Sequence, residues 1–134
     1  MAGKTQTHTD AVLNVLRNIT LPGVATAYVS LFSAAPANDN SEGTELAGNN
    51  YARQAVTFGA PVTDTGNVRK ISNTNPITFG PASADWLQAT HFGIHSAASG
   101  SGNLLYWDAL TTPRTVQNGD SAQFAIDALS VKED

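Results

Sequence analysis

Short stretches rich in β-branched and aromatic residues, separated by turn residues, follow one another along most of the chain. They occur at residues 26–32, 53–58, 68–72, 76–80, 90–95 and 104–110. Residues 115–116 and 122–126 flank Asn118-Gly119, a dipeptide favoured in tight hairpin turns, and residues 128–131 extend the last strand. Short strands at this spacing predict an all-β fold, a single antiparallel β-sandwich that we assign as jelly-roll-like, although other sandwich topologies share these signals.

The N-terminal part of the chain differs from the rest. The first ten residues are polar and without periodicity, and they predict a polar N-terminal arm. Apolar residues then recur at helical spacing, at Val12, Val15, Leu16 and Ile19. They predict one short helix over residues 10–19, which Thr9 or Asp10 caps and Pro22-Gly23 ends. So short a helix must dock, on its own sheet or on a neighbouring subunit. We therefore divide the chain into residues 1–24, the arm and helix, and residues 25–134, the sandwich.

The amino-acid composition is compatible with a surface that other subunits cover. Apolar residues make up 41% of the chain, enough for a core, and there is no cysteine. Charged residues make up 13%, about half the usual share. Uncharged polar groups are cheaper to desolvate than charged ones, which suits a covered surface; a Thr-rich β protein with a neutral surface is the equally weighted alternative.

Charge and hydrophobicity exclude two classes of partner. The net charge is −4, and the seven Lys and Arg are scattered, with only Arg69-Lys70 adjacent. A nucleic-acid-binding protein would concentrate its basic residues in a patch, so no nucleic-acid partner is predicted. No stretch approaches the roughly 20 apolar residues that cross a bilayer, so no membrane partner is predicted.

The residues that could carry chemistry do not form a recognisable site. His91 and His95 lie about 13 Å apart on a strand, too far to bind one metal ion together. Gly100-Ser101-Gly102 is a flexible turn rather than a nucleophile elbow. Asp39, Glu42 and Glu45 could hold calcium in the long polar loop of residues 35–50, but their spacing matches no EF-hand and solvation explains them equally well. We therefore predict no cofactor, no metal and no catalytic residue, and hence not an enzyme.

Several segments resemble a family of small virion proteins of tailed bacteriophages. They are Tyr28-Val29-Ser30-Leu31-Phe32-Ser33-Ala34-Ala35-Pro36, Gly43-Thr44-Glu45, Tyr51-Ala52-Arg53-Gln54-Ala55-Val56-Thr57-Phe58, Thr90-His91-Phe92-Gly93-Ile94, Gly102-Asn103-Leu104-Leu105-Tyr106-Trp107, Leu110-Thr111-Thr112-Pro113, Asn118-Gly119-Asp120 and Phe124. Members are usually described as tail-fibre proteins, and similar small β domains serve as head decoration or cement proteins. The resemblance implies a structural protein of the virion, made in the host cytoplasm.

The resemblance and the composition together lead to a functional hypothesis. We expect a capsid decoration (cement) protein on the outer head surface, which binds the major capsid protein and copies of itself as a homo-oligomer. The alternative is a tail-fibre or baseplate component, and a carbohydrate-binding module or small hydrolase ranks below both. The predicted assembly contacts are His8, Val12, Leu16, Tyr51, Arg53 and Arg114. Arg53 and Arg114 each flank a predicted strand and could bind a partner's carboxylate bidentately, although an ordinary surface arginine is the slightly favoured interpretation of each.

Overall fold

The computed structural model describes residues 3–133 as a β-rich fold with one short α-helix. The helix α1 is Gln6–Asn14, and a 3-10 turn over Val15–Arg17 continues it. The strands are β1 (Gly3–Lys4), β2 (Ala27–Ala34), β3 (Thr44–Glu45), β4 (Gln54–Val56), β5 (Val62–Thr63), β6 (Arg69–Ser72), β7 (Ile77–Phe79), β8 (Ala89–His95), β9 (Leu104–Arg114), β10 (Ala122–Phe124) and β11 (Ser130–Glu133). The predicted all-β sandwich with one short N-terminal helix is confirmed.

The strands form one large sheet and two small ones. The main sheet has the order β1-β9-β8-β2-β3, and β4 also pairs with β2. The small sheets are β10-β7 and β11-β6-β5, and the strand pairs of all three sheets are antiparallel. This connectivity does not confirm the jelly-roll-like assignment.

The hydrophobic core lies between the main sheet and the two small sheets. Alternate residues of β2 and β8 point into it, because successive side chains of a strand face opposite sides. The main sheet contributes Val29, Leu31, Phe92 and Ile94, and the small sheets and their connections contribute Ile77, Phe79, Leu129 and Val131. Phe79 and Val29 are fully buried.

The opposite face of β2 and β8 carries a second buried layer. Ser30 and His95 are 0% exposed, and Phe32 is 1% exposed. The rings of Phe32 and His95 are stacked with centroids 6.0 Å apart. Gly93 lies against Phe32, Leu104 and Ser30 without room for a side chain. A Cβ added there would be 2.7 Å from both Leu104 Cδ1 and Phe32 Cε2.

Gly93→Ala is therefore expected to lower the free energy of unfolding by about 1–3 kcal/mol, the usual range for overpacking a buried site. Urea unfolding of the purified variant measures this. Gly23→Ala is the control, because no atom beyond its two chain neighbours lies within 4 Å of an added Cβ there. Equal stability of the two variants would contradict the tight packing of β2 against β8.

The N-terminal prediction needs correction. The helix begins at Gln6, four residues before the predicted start, because Thr5 caps it rather than Thr9 or Asp10. Residues 3–10 are not an extended arm: Gly3 and Lys4 pair with Trp107 and Tyr106 of β9, and the first half of α1 follows. Met1 and Ala2 of the predicted arm lie outside the described residues. Within residues 3–133 no helix is long and apolar enough to span a membrane.

The predicted C-terminal hairpin is also different. Asn118-Gly119 does lie in a turn, closed by the Asp120 N–H donating to the Gln117 carbonyl at 2.9 Å. However, β10 pairs with β7, and residues 115–116 are not a strand. Residues 128–131 do not extend β10, since β11 is a separate strand on β6. The turn was recognised from its sequence, but the partner of β10 is distant in sequence.

Candidate functional site

Helix α1 and the residues that follow it form an apolar surface that faces solvent. Ten exposed large hydrophobic side chains are recorded among the described residues, and residues 12–24 supply seven of them. We call these seven the N-terminal apolar surface: Val12, Leu13, Val15, Leu16, Ile19, Leu21 and Val24. Leu16 is the extreme, at 88% exposure. Contiguous exposed apolar area is typical of a surface that another molecule covers.

Thr5 fixes the start of this segment to the main sheet. Its side chain is 2% exposed, and its hydroxyl donates to the Leu104 carbonyl at 2.7 Å. The same hydroxyl oxygen accepts the N–H of His8 at 3.4 Å, which caps α1. The Thr5 N–H donates to the Leu105 carbonyl at 3.1 Å. The N-terminal apolar surface therefore projects from a base that is hydrogen-bonded to β9.

A chain of polar side chains secures the inner side of α1. His8 Nε2 lies 3.2 Å from the Tyr106 hydroxyl, which donates to Glu133 Oε2 at 2.7 Å. Lys4 forms an ion pair with the same carboxylate. Burial, with the nearby Lys4 charge, lowers the pKa of His8. Burial, followed by the bond to Glu133, raises the pKa of Tyr106. The first turn of α1 is thus linked to both β9 and β11.

A cleft of about 450 Å³ adjoins the N-terminal apolar surface. Most of the side chains that line it are apolar, including Val24, Val56, Phe58, Ile94 and Val131. Val24 also belongs to the N-terminal apolar surface, so the apolar area continues from the segment into this cleft.

A second cleft, of about 740 Å³, is charged and polar. Its lining residues are Lys4, Gln6, Thr9, Asp10, Asn38, Asp39, Val68, Asp108, Lys132 and Glu133. None of these ten is aromatic. Ligand pockets are usually lined by apolar and aromatic side chains with a few polar groups, and this lining offers no aromatic ring on which a sugar could stack.

Arg53 is the centre of a buried polar cluster. Its side chain is 5% exposed, and Nε and Nη2 donate to the two carboxylate oxygens of Glu45 at 2.9 and 2.8 Å. Nη1 donates to the Ala97 carbonyl and to Asn103 Oδ1, each at 3.0 Å, and Nη2 also donates to the Gly100 carbonyl at 2.7 Å. All five N–H groups of the guanidinium are therefore used, and they hold the β8–β9 loop against β3 and β4.

The three carboxylates of the long polar loop each have an internal role. Glu45 accepts from Arg53 and from the Tyr51 hydroxyl at 2.7 Å. Burial alone would raise the pKa of Glu45, but these hydrogen bonds lower it further than burial raises it. Glu42 accepts the N–H of Gly102 at 2.6 Å, and Asp39 accepts the N–H of Ser41 at 3.1 Å. Within residues 3–133 no group of three or more potential ligands could hold a metal ion.

His95 lies between a serine and an asparagine in the same cluster. Its Nε2 is 2.7 Å from Ser30 Oγ, and its Nδ1 is 2.9 Å from Asn103 Oδ1. Because Asn103 Oδ1 can only accept, Nδ1 carries the proton and Nε2 accepts from the Ser30 hydroxyl. The order nucleophile, base and orienting group is that of a hydrolase triad. Ser30 and His95 are both 0% exposed, however, so no substrate reaches the hydroxyl in this structure.

Acid is expected to destabilise the protein through His95. Burial, and then the neighbouring Arg53 charge, lower the pKa of His95 below its ordinary 6.5. The unfolded chain therefore takes up this proton at a higher pH than the folded chain. With respect to His95, the free energy of unfolding should be constant at pH values above the pKa that this histidine has in the unfolded chain. It should fall as the pH decreases below that pKa.

Urea unfolding at about pH 7.5 and about pH 5.5 measures this effect. The wild-type protein should lose more stability between the two pH values than His95→Gln does. His8, whose pKa is also lowered, is present in both proteins, so the difference isolates His95. An equal or larger loss in the variant would show that His95 is not held neutral.

The structure separates the six predicted assembly residues into two groups. Val12 and Leu16 are exposed on the N-terminal apolar surface, at 39% and 88%, and Arg114 is exposed at the end of β9. His8, Tyr51 and Arg53 instead make the internal contacts described above, and Tyr51 also accepts the N–H of Leu31 at 3.0 Å. Sequence reasoning did not single out Leu13, Leu21 or Val24 as contacts. A signal for Leu21 and Val24 existed, since apolar residues continue past the predicted end of the helix, whereas Leu13 lies within the predicted helix.

The fold and the exposed segment define a small β-sandwich domain with a helical, apolar N-terminal segment. Residues 3–132 match the model of a family described as podophage GP4 fiber I protein gp80. The chain belongs to this family and is a fibre-type structural protein of the bacteriophage virion, which confirms the resemblance found in the sequence. The match fits the tail-fibre alternative better than capsid decoration. No curated protein matches the chain.

Proposed function

We propose that the protein is a non-catalytic subunit of the phage tail fibre or baseplate, held in that assembly by its N-terminal apolar surface. The observation that carries the proposal is the concentration of seven exposed apolar side chains in residues 12–24. None of them belongs to the buried core cluster or to the partly buried side chains packed against it. Covering apolar area provides about 25 cal/mol per Å², which favours association once the cost of docking is met.

Two observations support a place in the tail rather than on the head. The first is the membership of a fibre family. The second concerns the N-terminus, because a polar arm that reaches away from the domain would favour capsid cement. Residues 3–10 instead pack against β9 as β1 and the first half of α1. The partners we propose are accordingly other proteins of the fibre apparatus and further copies of this chain, rather than the major capsid protein.

The shape of the described chain favours a module at a joint or base of the fibre over a shaft. Residues 3–133 form one sandwich with a nine-residue helix and strands of at most eleven residues. A shaft needs an elongated, repeated element. A compact module with one apolar face suits the connection between two larger parts.

The non-catalytic part of the proposal is supported by the state of the polar groups. Ser30, His95 and Asn103 have the hydrogen bonds of a triad, yet Ser30 and His95 are completely buried. The Arg53 guanidinium, which could otherwise bind an anionic substrate, donates all its N–H groups within the chain. These groups stabilise the fold rather than face a substrate.

Location on the virion tests the proposal. Purified particles are labelled with gold-conjugated antibody to this protein, and its copies per particle are counted against the major capsid protein by quantitative mass spectrometry. We expect label at the tail and a small number of copies. Label over the head, with hundreds of copies per particle, would overturn the proposal in favour of capsid decoration.

A further inference from the structure

One stripe of the N-terminal helical segment combines two opposite charges with a leucine between them. Asp10, Leu13 and Arg17 are spaced three and four residues apart, so they share one face of the helical segment. All three are exposed, Leu13 at 58%. Arg17 Nη1 donates to Asn14 Oδ1 at 2.9 Å, which leaves other N–H groups of the guanidinium directed to solvent.

The charges of this stripe are self-complementary: when a second copy is rotated by 180° about an axis perpendicular to the helix, an acidic side chain lies opposite a basic one at each end. The midpoint between Asp10 and Arg17 falls next to Leu13. In an antiparallel pair related by a two-fold axis at Leu13, the Asp10 of each copy meets the Arg17 of the other, and the two Leu13 side chains meet at the axis. Leu16, three residues after Leu13, lies beside the stripe and extends the apolar contact, whereas Val12 and Val15 lie on other faces of the helical segment.

The charge distribution favours a copy of the same chain over an acidic or basic partner. Asp10 and Arg17 are the only Asp, Glu, Lys or Arg residues between positions 5 and 26, so this surface has no net charge, while the whole chain carries −4. Two copies repel one another weakly through their other faces and not through this one. A neutral surface with one acid and one base in register gives no preference for a strongly charged partner.

We infer that the side of the N-terminal apolar surface formed by Leu13 and Leu16 pairs with the same side of a second copy, in an antiparallel, isologous contact centred on Leu13. The inference rests on the proposed function, in which this surface is the assembly surface, and it names the partner. The dimer would present two sandwich domains on opposite sides of a shared helical seam.

Charge reversal tests the contact directly. Sedimentation velocity over a range of concentrations should show a reversible dimer of the wild-type protein. In a homodimer of Asp10→Arg, two pairs of basic side chains meet in the contact, and in a homodimer of Arg17→Asp, two pairs of acidic side chains meet. Each variant alone should therefore raise the dimer dissociation constant at least about tenfold. A mixture of the two variants should form heterodimers, because both cross-pairs are then attractive. Both residues are exposed, and circular dichroism confirms that each variant is folded.

A matched pair of leucine substitutions tests the apolar part. Leu16→Gln should weaken the dimer about tenfold or more, since a hydrophobic anchor is lost twice in a two-fold contact. Leu87 lies outside the segment and is 66% exposed, so Leu87→Gln should leave the dimer unchanged.

The outcomes separate this inference from the proposed function. A wild-type protein that stays monomeric, or a dimer that tolerates both charge reversals, would overturn the pairing of two copies. If that monomer is nevertheless found at the tail, the proposed function stands and another virion protein covers the surface. Gold label over the head would overturn the proposed function whatever the oligomeric state.

Discussion

Arg53→Met is expected to lower the free energy of unfolding by about 3 kcal/mol, because it leaves a largely buried carboxylate without its partner. The side chains of Arg53 and Glu45 are 5% and 24% exposed, so Glu45 can recover only part of its hydration. The carbonyls of Ala97 and Gly100 also lose their donor. The melting temperature should fall by roughly 10 °C for a domain of this size, as thermal unfolding would show.

The controls for this prediction come from the same chain. Arg114→Met removes an exposed arginine and should change the free energy of unfolding by less than about 0.5 kcal/mol. Combining Arg53→Met with Glu45→Gln should cost less than the sum of the two single changes, since the unpaired charge is then absent. Strict additivity, or a loss no larger than that of Arg114→Met, would show that the Arg53–Glu45 pair contributes little.

Asn73→Leu is expected to lower the free energy of unfolding by about 3 kcal/mol, because it leaves three backbone groups without their partner. Asn73 is fully buried. Its side-chain oxygen accepts the N–H of Leu129 at 3.0 Å, and its amide nitrogen donates to the carbonyls of Asn75 and Ala125 at 2.8 and 2.9 Å. Leucine has a similar volume but replaces none of these bonds.

Gln123→Leu is the matched control for Asn73→Leu. It removes an exposed amide, whose one recorded hydrogen bond is to Thr78 Oγ1 at 3.2 Å. Urea unfolding should show a change of less than about 0.5 kcal/mol for this variant. Similar stabilities of the two variants would mean that the connection between β6 and the turn before β11 does not depend on Asn73.

Local patterns predicted the strands well and their partners poorly. The stretch at residues 26–32 became β2, and the stretch at residues 90–95 became β8, within two residues at each end. Their composition and alternation are local properties of the sequence. The partner of β10 is β7, more than forty residues earlier, and nothing near the Asn118-Gly119 turn encodes that pairing.

Very short strands and the true start of the helix were also missed. β1 and β3 have two residues each, too few to show alternation, and they exist because the edges of the main sheet offer free hydrogen-bonding groups. Thr5 became the N-cap because its hydroxyl also reaches the Leu104 carbonyl, a contact 99 positions away. A capping residue selected by tertiary contact cannot be identified from the helix sequence alone.

For the candidate site too, the exposure of some residues could be predicted from local sequence, but their partners could not. Val12 and Leu16 were predicted as contacts, and their helical spacing does place them on an exposed surface. Arg53 was noticed because it flanks a strand, but whether its carboxylate partner lies in this chain or in another depends on where Glu45 folds. The structure pairs Arg53 with Glu45 of the same chain.

Incorporation into particles tests most directly whether the N-terminal apolar surface joins this protein to the virion. Phage carrying Leu13→Gln together with Leu16→Gln are compared with phage carrying Leu87→Gln, and copies per purified particle are counted by mass spectrometry. Both purified variants must melt within a few degrees of the wild-type protein, so that folding is not the cause.

We predict wild-type occupancy for Leu87→Gln and an occupancy at least about tenfold lower for the double variant, given the affinity that two lost apolar anchors remove. Equal occupancy of the two variants would contradict the claim and would place the assembly contact elsewhere on the sandwich.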